Sequence, residues 1–177
     1  TFLDTDDLWK KNKLIKQISF FKKNRDIKIV YSNYVLKKNR NFFNKYKKNL
    51  SSGFITQQLL DNYSIGILTV MLEKSIFNYK KFNKMFNIIG DFDFFIKISI
   101  NHKIVYINEP LAIYRVHNNN YSLKNLEQYI FELSYWLKKN KNKLEKINLF
   151  LTSQHFFLLK LKIKFLLNKI LGRVVQW

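Results

Sequence analysis

The chain has 177 residues, enough for one domain with its own hydrophobic core, or for part of one, and too few for two ordinary domains. It contains no cysteine, which excludes disulfide bonds and thiolate metal sites, so any metal would have to bind oxygen or imidazole ligands. The net charge of +20 predicts some attraction to phosphate groups, although the basic residues are dispersed along the whole chain.

The first nine residues are an apolar run that is interrupted by three carboxylates, Asp4, Asp6 and Asp7, before Leu8 and Trp9. We predict a strand that ends in an acidic site. Three carboxylates within four residues repel one another, and a bound divalent cation offsets that repulsion. Taken alone, these residues fit an acidic N-cap for the next helix equally well.

Helical and strand patterns alternate after this motif. Residues 8–23 have near-helical spacing of apolar side chains, which predicts an amphipathic helix, and residues 27–32 alternate as a strand does. Residues 36–52 are polar and predict an insertion or mobile loop. A short helix over 54–62 and a buried strand over 65–72 follow, so the order of elements predicts an α/β fold.

Two carboxylates, Asp91 and Asp93, lie in an otherwise apolar segment that follows Gly90. The glycine predicts a turn, and the residues after it have helical spacing. A buried carboxylate is costly unless it has a partner, so we expect one of the two to have a chemical role. The alternative is that Asp91 only caps the helix and Asp93 only interacts with the helix dipole.

A strand over residues 103–107 is expected to bend at Pro110, the only proline, and to continue over 111–114. Arg115 and His117 come next. In an extended segment their side chains point to the same face, which places a guanidinium beside an imidazole. This pair suits a diphosphate and its metal ion, and the alternative is an ordinary polar loop.

Residues 123–177 have a helical pattern, with a charged break predicted at 138–146. The last apolar stretch, 149–171, carries four lysines that fall on two opposite sides of a helical wheel. We expect this helix either to pack against protein while its lysines reach solvent, or to lie at a membrane interface.

Three segments in this order, FLDTDDLW, IIGDFDFFIKIS and YINEPLAIYRVHNNNYS, resemble the second half of a family 2 glycosyltransferase of the GT-A fold, of the bacterial surface-polysaccharide type. The resemblance implies a partial GT-A (Rossmann-like) domain with a mixed sheet over residues 1–122 and a C-terminal helical extension over 123–177. It also implies a cytoplasmic location, either free or peripheral at the inner face of the cytoplasmic membrane.

The resemblance implies a role for each motif. Asp4 and Asp6 occupy the positions of the family's D-x-D motif, with Asp7 as its third acid, and would bind Mn²⁺ or Mg²⁺. Asp91, or else Asp93, would be the general base. Arg115 and His117 would contact the donor diphosphate, and His117 would also help to bind the metal.

The implied reaction is transfer of a single sugar, with inversion, from a nucleotide-diphosphate sugar to a glycan or lipid-linked acceptor. Its setting would be lipopolysaccharide, capsule or other surface-glycan synthesis. Gly90 and Lys97 depart from the family's usual Glu and Arg at their positions. The Q-x-x-R-W motif of processive synthases does not occur, which favours single additions over polymerisation.

The family has a nucleotide-binding β-α-β half before the acidic motif. We therefore expect this chain by itself to bind no nucleotide sugar with useful affinity and to be inactive. A thermal-shift titration with uridine diphosphate and Mn²⁺ tests this expectation, and a large stabilisation would contradict it.

Two other classes of protein fit part of the pattern. Haloacid-dehalogenase-like Mg²⁺-dependent phosphatases also begin with D-x-D, but Leu8 stands where they have Thr or Val, and Arg115 and His117 stay unexplained. A basic nucleic-acid-binding module would fit the net charge and the 17% aromatic content. The three ordered motifs favour the glycosyltransferase, for which no nucleic-acid partner is expected.

Overall fold

The computed structural model describes residues 1–39, 41–43, 50–117 and 121–172. Its strands are β1 (Leu8–Trp9), β2 (Ile29–Lys38), β3 (Asn41–Phe43), β4 (Met71–Leu72) and β5 (Ile104–Val116). Its helices are α1 (Lys13–Lys23), α2 (Thr56–Asp61), α3 (Ile76–Tyr79), α4 (Gly90–Ser99), α5 (Tyr121–Lys124), α6 (Leu126–Glu145) and α7 (Thr152–Leu171), and a 3₁₀ turn (Ile67–Thr69) precedes β4. The predicted α/β class is confirmed.

The strands form one mixed sheet in the order β1-β5-β2-β3, with β4 also paired to β2. The β2–β5 pair is parallel and the other pairs are antiparallel. The register of the β2–β5 pair shifts around Asn33, which lies opposite Pro110, because proline has no amide hydrogen to donate. The two predicted strand halves are thus one continuous strand with an irregular pairing at Pro110, and a bend there stays a prediction.

One buried hydrophobic cluster joins the sheet to helices α2, α4, α6 and α7. Phe94 and Phe95 of α4 and Trp136 of α6 are among its most deeply buried side chains. Leu158 and Leu161 of α7 complete it from the C-terminal side. The last two helices therefore share the core of the sheet, and the domain boundary after residue 122 stays a prediction.

The prediction of a strand before the acidic cluster is wrong. Residues 1–7 contain a turn and no strand, and β1 follows the carboxylates. Leu8 and Trp9 pair with Ile113 and Ala112 of β5, so the helix predicted from residue 8 begins only at Lys13. The pairing with β5 overrides the helical spacing of these residues.

The buried side of α1 also differs from its apolar pattern. Leu14, Ile15 and Ile18 are exposed, whereas Lys13 and Gln17 are fully buried. The two polar residues are accommodated because each has partners: Gln17 donates from Nε2 to the Thr69 carbonyl at 2.7 Å and accepts from Lys13 Nζ.

Three further predictions are corrected. Part of the predicted insertion at 36–52 is ordered, since β2 runs to Lys38 and pairs with β3, while residues 40 and 44–49 lie outside the described residues. The strand predicted over 65–72 is reduced to the two residues of β4 after the 3₁₀ turn. The break predicted at 138–146 falls instead between α6 and α7, because these residues are compatible with a helix and Leu144 is buried in the core.

Helix α7 is only partly covered by the rest of the molecule. Gln154, Leu158 and Leu161 are buried, while large apolar side chains on its opposite side are exposed. Within the described residues, none of the helices combines the length and apolar character that a membrane span requires.

A buried carboxylate, Glu132 of α6, fixes the start of α4. It accepts hydrogen bonds from the backbone amides of Asn87, Ile88 and Ile89 at 2.9 to 3.1 Å, and from Gln128 Nε2 at 2.9 Å. Amides at the start of a helix have no partner within the helix, and negative charge is favourable there. Glu132 therefore connects the C-terminal helices to the segment that carries Asp91.

We predict that Glu132→Ala lowers the free energy of unfolding by about 3 kcal/mol, because three backbone amides lose a charged acceptor. Glu145→Ala, at an exposed position on the same helix, is the matched control and should change it by less than about 0.5 kcal/mol. Urea denaturation measures both values. Equal effects of the two substitutions would contradict the proposed role of Glu132.

Candidate active site

The three N-terminal carboxylates lie on a tight turn. The Asp7 amide donates to the Asp4 carbonyl at 3.1 Å, which closes a turn through Thr5 and Asp6. Strand β1 begins at the next residue and pairs with the second half of β5. The turn is thus attached to the sheet directly after the carboxylates.

The carboxylates are close enough to act together. One oxygen from each of Asp4, Asp6 and Asp7 lies within 4.8 Å of the others, with Asp4 exposed, Asp6 partly buried and Asp7 buried. Oxygen donors of this kind match the preference of hard divalent cations such as Mg²⁺ or Mn²⁺. The donor set fits the cation that the motif predicts, and its binding stays a prediction.

Arg115, near the end of β5, forms hydrogen bonds with the last three residues of the turn, which are Thr5, Asp6 and Asp7. Its amide donates to Asp7 Oδ1 at 2.9 Å, its Nε donates to the Asp6 carbonyl, and its Nη2 lies 3.3 Å from the Thr5 carbonyl as a donor. These bonds span more than a hundred residues of sequence. Arg115 therefore fixes the backbone of the acidic turn.

His117 reaches the same turn from just beyond β5. Its Nε2 lies 2.7 Å from Asp6 Oδ2, and this contact is the main reason why the pKa of Asp6 is lowered. Within the described part of the chain, the residues whose ligand atoms lie close together are the three aspartates. His117 forms a hydrogen bond with one of them, Asp6. A direct role of His117 in metal binding stays a prediction.

Asp7 has a different electrostatic environment from Asp6. Burial raises its pKa to about 6, and the neighbouring charges of Asp6 and Asp4 act in the same direction. The hydrogen bond from the Arg115 amide opposes this rise. Concentrated negative charge around a buried carboxylate is the condition that a bound cation would relieve.

Lys13, which was not predicted to be a site residue, contacts residues on both sides of the acidic turn. Its Nζ donates to Thr1 Oγ1 at 2.9 Å and to Gln17 Oε1 at 2.7 Å, and it lies 4.6 Å from the centroid of the Trp9 ring. Burial lowers its pKa to about 8. The spacing of Lys13 and Gln17, four residues apart, was the available signal, because such pairs meet on one helix face.

Asp91 lies at a cavity of about 600 Å³. Its carboxylate accepts hydrogen bonds from Tyr63 Oη at 3.2 Å and from the Phe92 amide at 2.7 Å. Burial raises its pKa to about 6, and the charge of Asp4 adds to the rise. Asp4 is therefore near enough for the acidic turn and Asp91 to influence one another electrostatically.

The cavity is lined by elements that are far apart in the sequence. Tyr63 follows α2, Tyr129 and Leu133 come from α6, and Phe157 and Lys160 come from α7. Apolar side chains and a few polar groups, with a carboxylate of raised pKa among them, are typical of a small-molecule site. The C-terminal helices thus form part of its wall.

Asp93 is placed differently from Asp91. It is 1% exposed, accepts a hydrogen bond from Trp136 Nε1 at 2.8 Å, and forms an ion pair with Lys97 Nζ at 2.5 Å. It is not among the residues that line the cavity around Asp91. Both oxygens of Asp93 are thus engaged in contacts between α4 and its neighbours.

No protein-family profile matches the chain. A segment of 78 residues, 44% of the chain, is 41% identical to WfgD of Escherichia coli, a β-1,3-glucosyltransferase whose name gives UDP-Glc as donor and α-D-GlcNAc-diphosphoundecaprenol as acceptor. A segment of 150 residues, 80% of the chain, is 28% identical to an uncharacterized glycosyltransferase, MJ1057, of Methanocaldococcus jannaschii. Over these segments the chain is similar to two glycosyltransferases.

The matched segments cover 29% of WfgD and 50% of MJ1057, so the chain spans no more than about half the length of these relatives. Their names support the glycosyltransferase class that the three motifs predicted. The GT-A subtype and the other finer assignments stay predictions.

Several site residues were missed in the sequence because their partners are remote. Tyr63 meets Asp91 across 28 positions, and Trp136 meets Asp93 across 43. An aromatic residue in a chain with 17% aromatic content gives little indication of such a role. The packing of α4 against α6 and against the segment after α2 brings these pairs together.

We predict opposite effects on stability for two matched substitutions in α4. Because the pKa of Asp91 is raised in the folded state, the folded protein binds a proton more tightly than the unfolded chain, and this contribution to stability is lost as pH rises through about 6. Asp91→Asn should therefore increase the free energy of unfolding by about 1 to 3 kcal/mol at pH 7.5 and have little effect at pH 4.

Asp93→Asn should decrease the free energy of unfolding by about 2 kcal/mol, because Lys97 loses its anionic partner. Thermal and urea unfolding at the two pH values measure both effects. Destabilisation by Asp91→Asn at pH 7.5 would show that its carboxylate is a structural group like that of Asp93.

Proposed function

We propose that this chain forms the metal, diphosphate and base side of a site that transfers one sugar from a nucleotide-diphosphate sugar to an acceptor hydroxyl, with inversion. The observation that carries the proposal is the convergence of three carboxylates, Arg115 and His117 at one turn, within electrostatic reach of a cavity that contains Asp91. The similarity to two glycosyltransferases supports it.

In the proposed site the aspartates of the acidic turn hold Mn²⁺ or Mg²⁺. A bound cation would supply positive charge that stabilises a diphosphate leaving group. Arg115 keeps the backbone of the turn in place, so that the three carboxylates keep their mutual positions. His117, beside Asp6, adds a hydrogen-bonding group that can carry positive charge near the diphosphate.

Asp91 is the proposed general base. It would accept the proton of the acceptor hydroxyl as that oxygen attacks the anomeric carbon and the bond to the diphosphate breaks. A pKa of about 6 leaves the carboxylate ionised at neutral pH while making it a stronger base than an ordinary aspartate. Direct attack of this kind needs a single base and gives a product of inverted configuration. Asp93, engaged by Trp136 and Lys97, is better suited to hold α4 in position.

The cavity and one relative support a proposal for the acceptor class. The name of WfgD describes transfer to a sugar on a diphosphate lipid, and for this chain we propose a lipid-linked or glycan acceptor of the same general class, in bacterial surface-glycan synthesis. Tyr63 and Tyr129 would contact the acceptor sugar, because aromatic and hydroxyl groups together suit a carbohydrate surface.

Transfer by the protein expressed from its whole reading frame, assayed with Mn²⁺ and a UDP-sugar, tests the division of roles. Asp91→Asn should lower kcat about 10²- to 10⁴-fold while leaving the Mn²⁺ affinity, measured by electron paramagnetic resonance, unchanged. Asp6→Asn should lower both. Asp26→Asn, in an exposed turn, is the control and should change neither.

The configuration of the product, determined by NMR of its anomeric proton, tests inversion. A product that retains the donor configuration would contradict the role of Asp91 as a base for direct attack. Unchanged Mn²⁺ affinity in Asp6→Asn, Asp4→Asn and Asp7→Asn alike would contradict the metal site.

A further inference from the structure

Helix α7 carries a continuous apolar surface that the core does not cover. Its members, which we name the α7 stripe, follow one another at intervals of three and four residues and are each at least 44% exposed: Phe156, Leu159, Ile163, Leu166 and Ile170. This spacing keeps them on one side of the helix. They lie opposite the side that buries Gln154, Leu158 and Leu161 in the core.

Lysines border the α7 stripe on both sides. Lys162 and Lys169, seven residues apart, lie along one edge, and Lys160 and Lys164, four residues apart, lie along the other. The sequence of α7 contains no acidic residue. The lysines thus form two rows on opposite sides of α7. The rows make the helix poorly amphipathic as a core helix, but they border a second apolar face that points outward.

We propose that the α7 stripe lies on an anionic lipid bilayer surface. Apolar side chains would enter the boundary between headgroups and acyl chains, and the lysines on both borders would reach the lipid phosphates. The net charge of +20 adds a general attraction to such a surface.

A second copy of α7 would fit the α7 stripe less well than a membrane surface does. The three-and-four spacing would also suit a helix pair, but the positions that flank such a seam are filled by lysines on both borders. Two copies would place these like charges against one another, and that repulsion opposes pairing. An anionic surface turns the same lysines into favourable contacts.

The location of α7 gives this surface a function that rests on the proposed sugar transfer. Phe156 belongs to the α7 stripe and Lys160 to its border, and both also line the cavity that contains Asp91. The cavity therefore opens beside the face that would lie on the bilayer. An acceptor anchored in the membrane by a lipid could enter the cavity along α7 while its lipid stays in the bilayer.

Sedimentation with vesicles tests the surface on this chain without any assay of activity. The chain should bind vesicles that contain phosphatidylglycerol, and bind vesicles of phosphatidylcholine alone much more weakly. Ile163→Asn with Leu166→Asn should lower partitioning about tenfold or more, because both side chains belong to the stripe and neither lines the cavity. Ile15→Asn with Ile18→Asn, on the exposed apolar face of α1, is the matched control and should have little effect.

Charge is tested by the same method. Lys162→Gln with Lys169→Gln should lower partitioning about 10- to 30-fold, whereas Lys22→Gln with Lys23→Gln, which removes the same charge from α1, should lower it much less. Equal losses for the two pairs would overturn the proposal, because they would show adsorption by net charge alone. A lack of binding to phosphatidylglycerol vesicles would also overturn it.

The absence of cysteine allows a direct measurement of contact. A nitroxide attached at Ile163→Cys should become accessible to oxygen and shielded from a water-soluble relaxation agent when vesicles are added, while one at Ile15→Cys should not. Self-association without lipid that Ile163→Asn with Leu166→Asn abolishes would overturn the proposal in favour of a second copy.

Transfer assays separate this inference from the function on which it rests. Ile163→Asn with Leu166→Asn should lower transfer to a lipid-linked acceptor about tenfold or more and leave transfer to a water-soluble analogue unchanged. Equal loss with both acceptors would overturn the membrane role. Absence of transfer by the unmodified protein expressed from its whole reading frame would overturn the proposed function and leave the vesicle results standing.

Discussion

The hydrogen bonds between β1 and the second half of β5 are the contact on which the candidate site depends. They attach a two-residue strand to a thirteen-residue one, and the acidic turn immediately precedes the short strand. Because β5 is also paired in parallel with the buried strand β2, the position of Arg115 is set by the centre of the sheet. The turn receives its geometry from Arg115, through bonds to its backbone and to Asp7. A long-range pairing thus determines the arrangement of residues that are adjacent in sequence.

Helix α6 has a comparable effect on the other side of the site. Glu132 and Trp136, one turn apart, contact the amides before α4 and the carboxylate of Asp93. Both contacts are buried, so α6 holds α4 by polar groups as well as by hydrophobic packing. The orientation of α4 then directs Asp91 towards the cavity. The C-terminal helices consequently have a part in building the site, in addition to lining it.

The sequence allowed the class of fold and the candidate site residues to be proposed, for a physical reason. Carboxylates are costly to bury without partners, so the positions of Asp91 and Asp93 in an apolar segment indicated a site before the fold was known. The roles of the site residues came from the resemblance to family 2 glycosyltransferases. Orientation was harder to predict. The apolar pattern of α1 indicated that Leu14 and Ile15 face the core, yet Lys13 and Gln17 are buried there because their partners come from residues 1, 69 and 70. A pattern within one helix contains no information about such remote partners.

The carboxylates around α4 show how environment separates residues of similar chemistry. Glu132 receives four hydrogen bonds, three of them from backbone amides, and Asp93 is held by an indole and an ammonium group. Both carboxylates are thus engaged in contacts that hold α4 against α6. Asp91 accepts hydrogen bonds from the Tyr63 hydroxyl and the Phe92 amide, and burial raises its pKa to about 6. Of the three carboxylates, Asp91 is the one that lines the cavity, and a carboxylate with this pKa is suited to general-base chemistry near neutral pH.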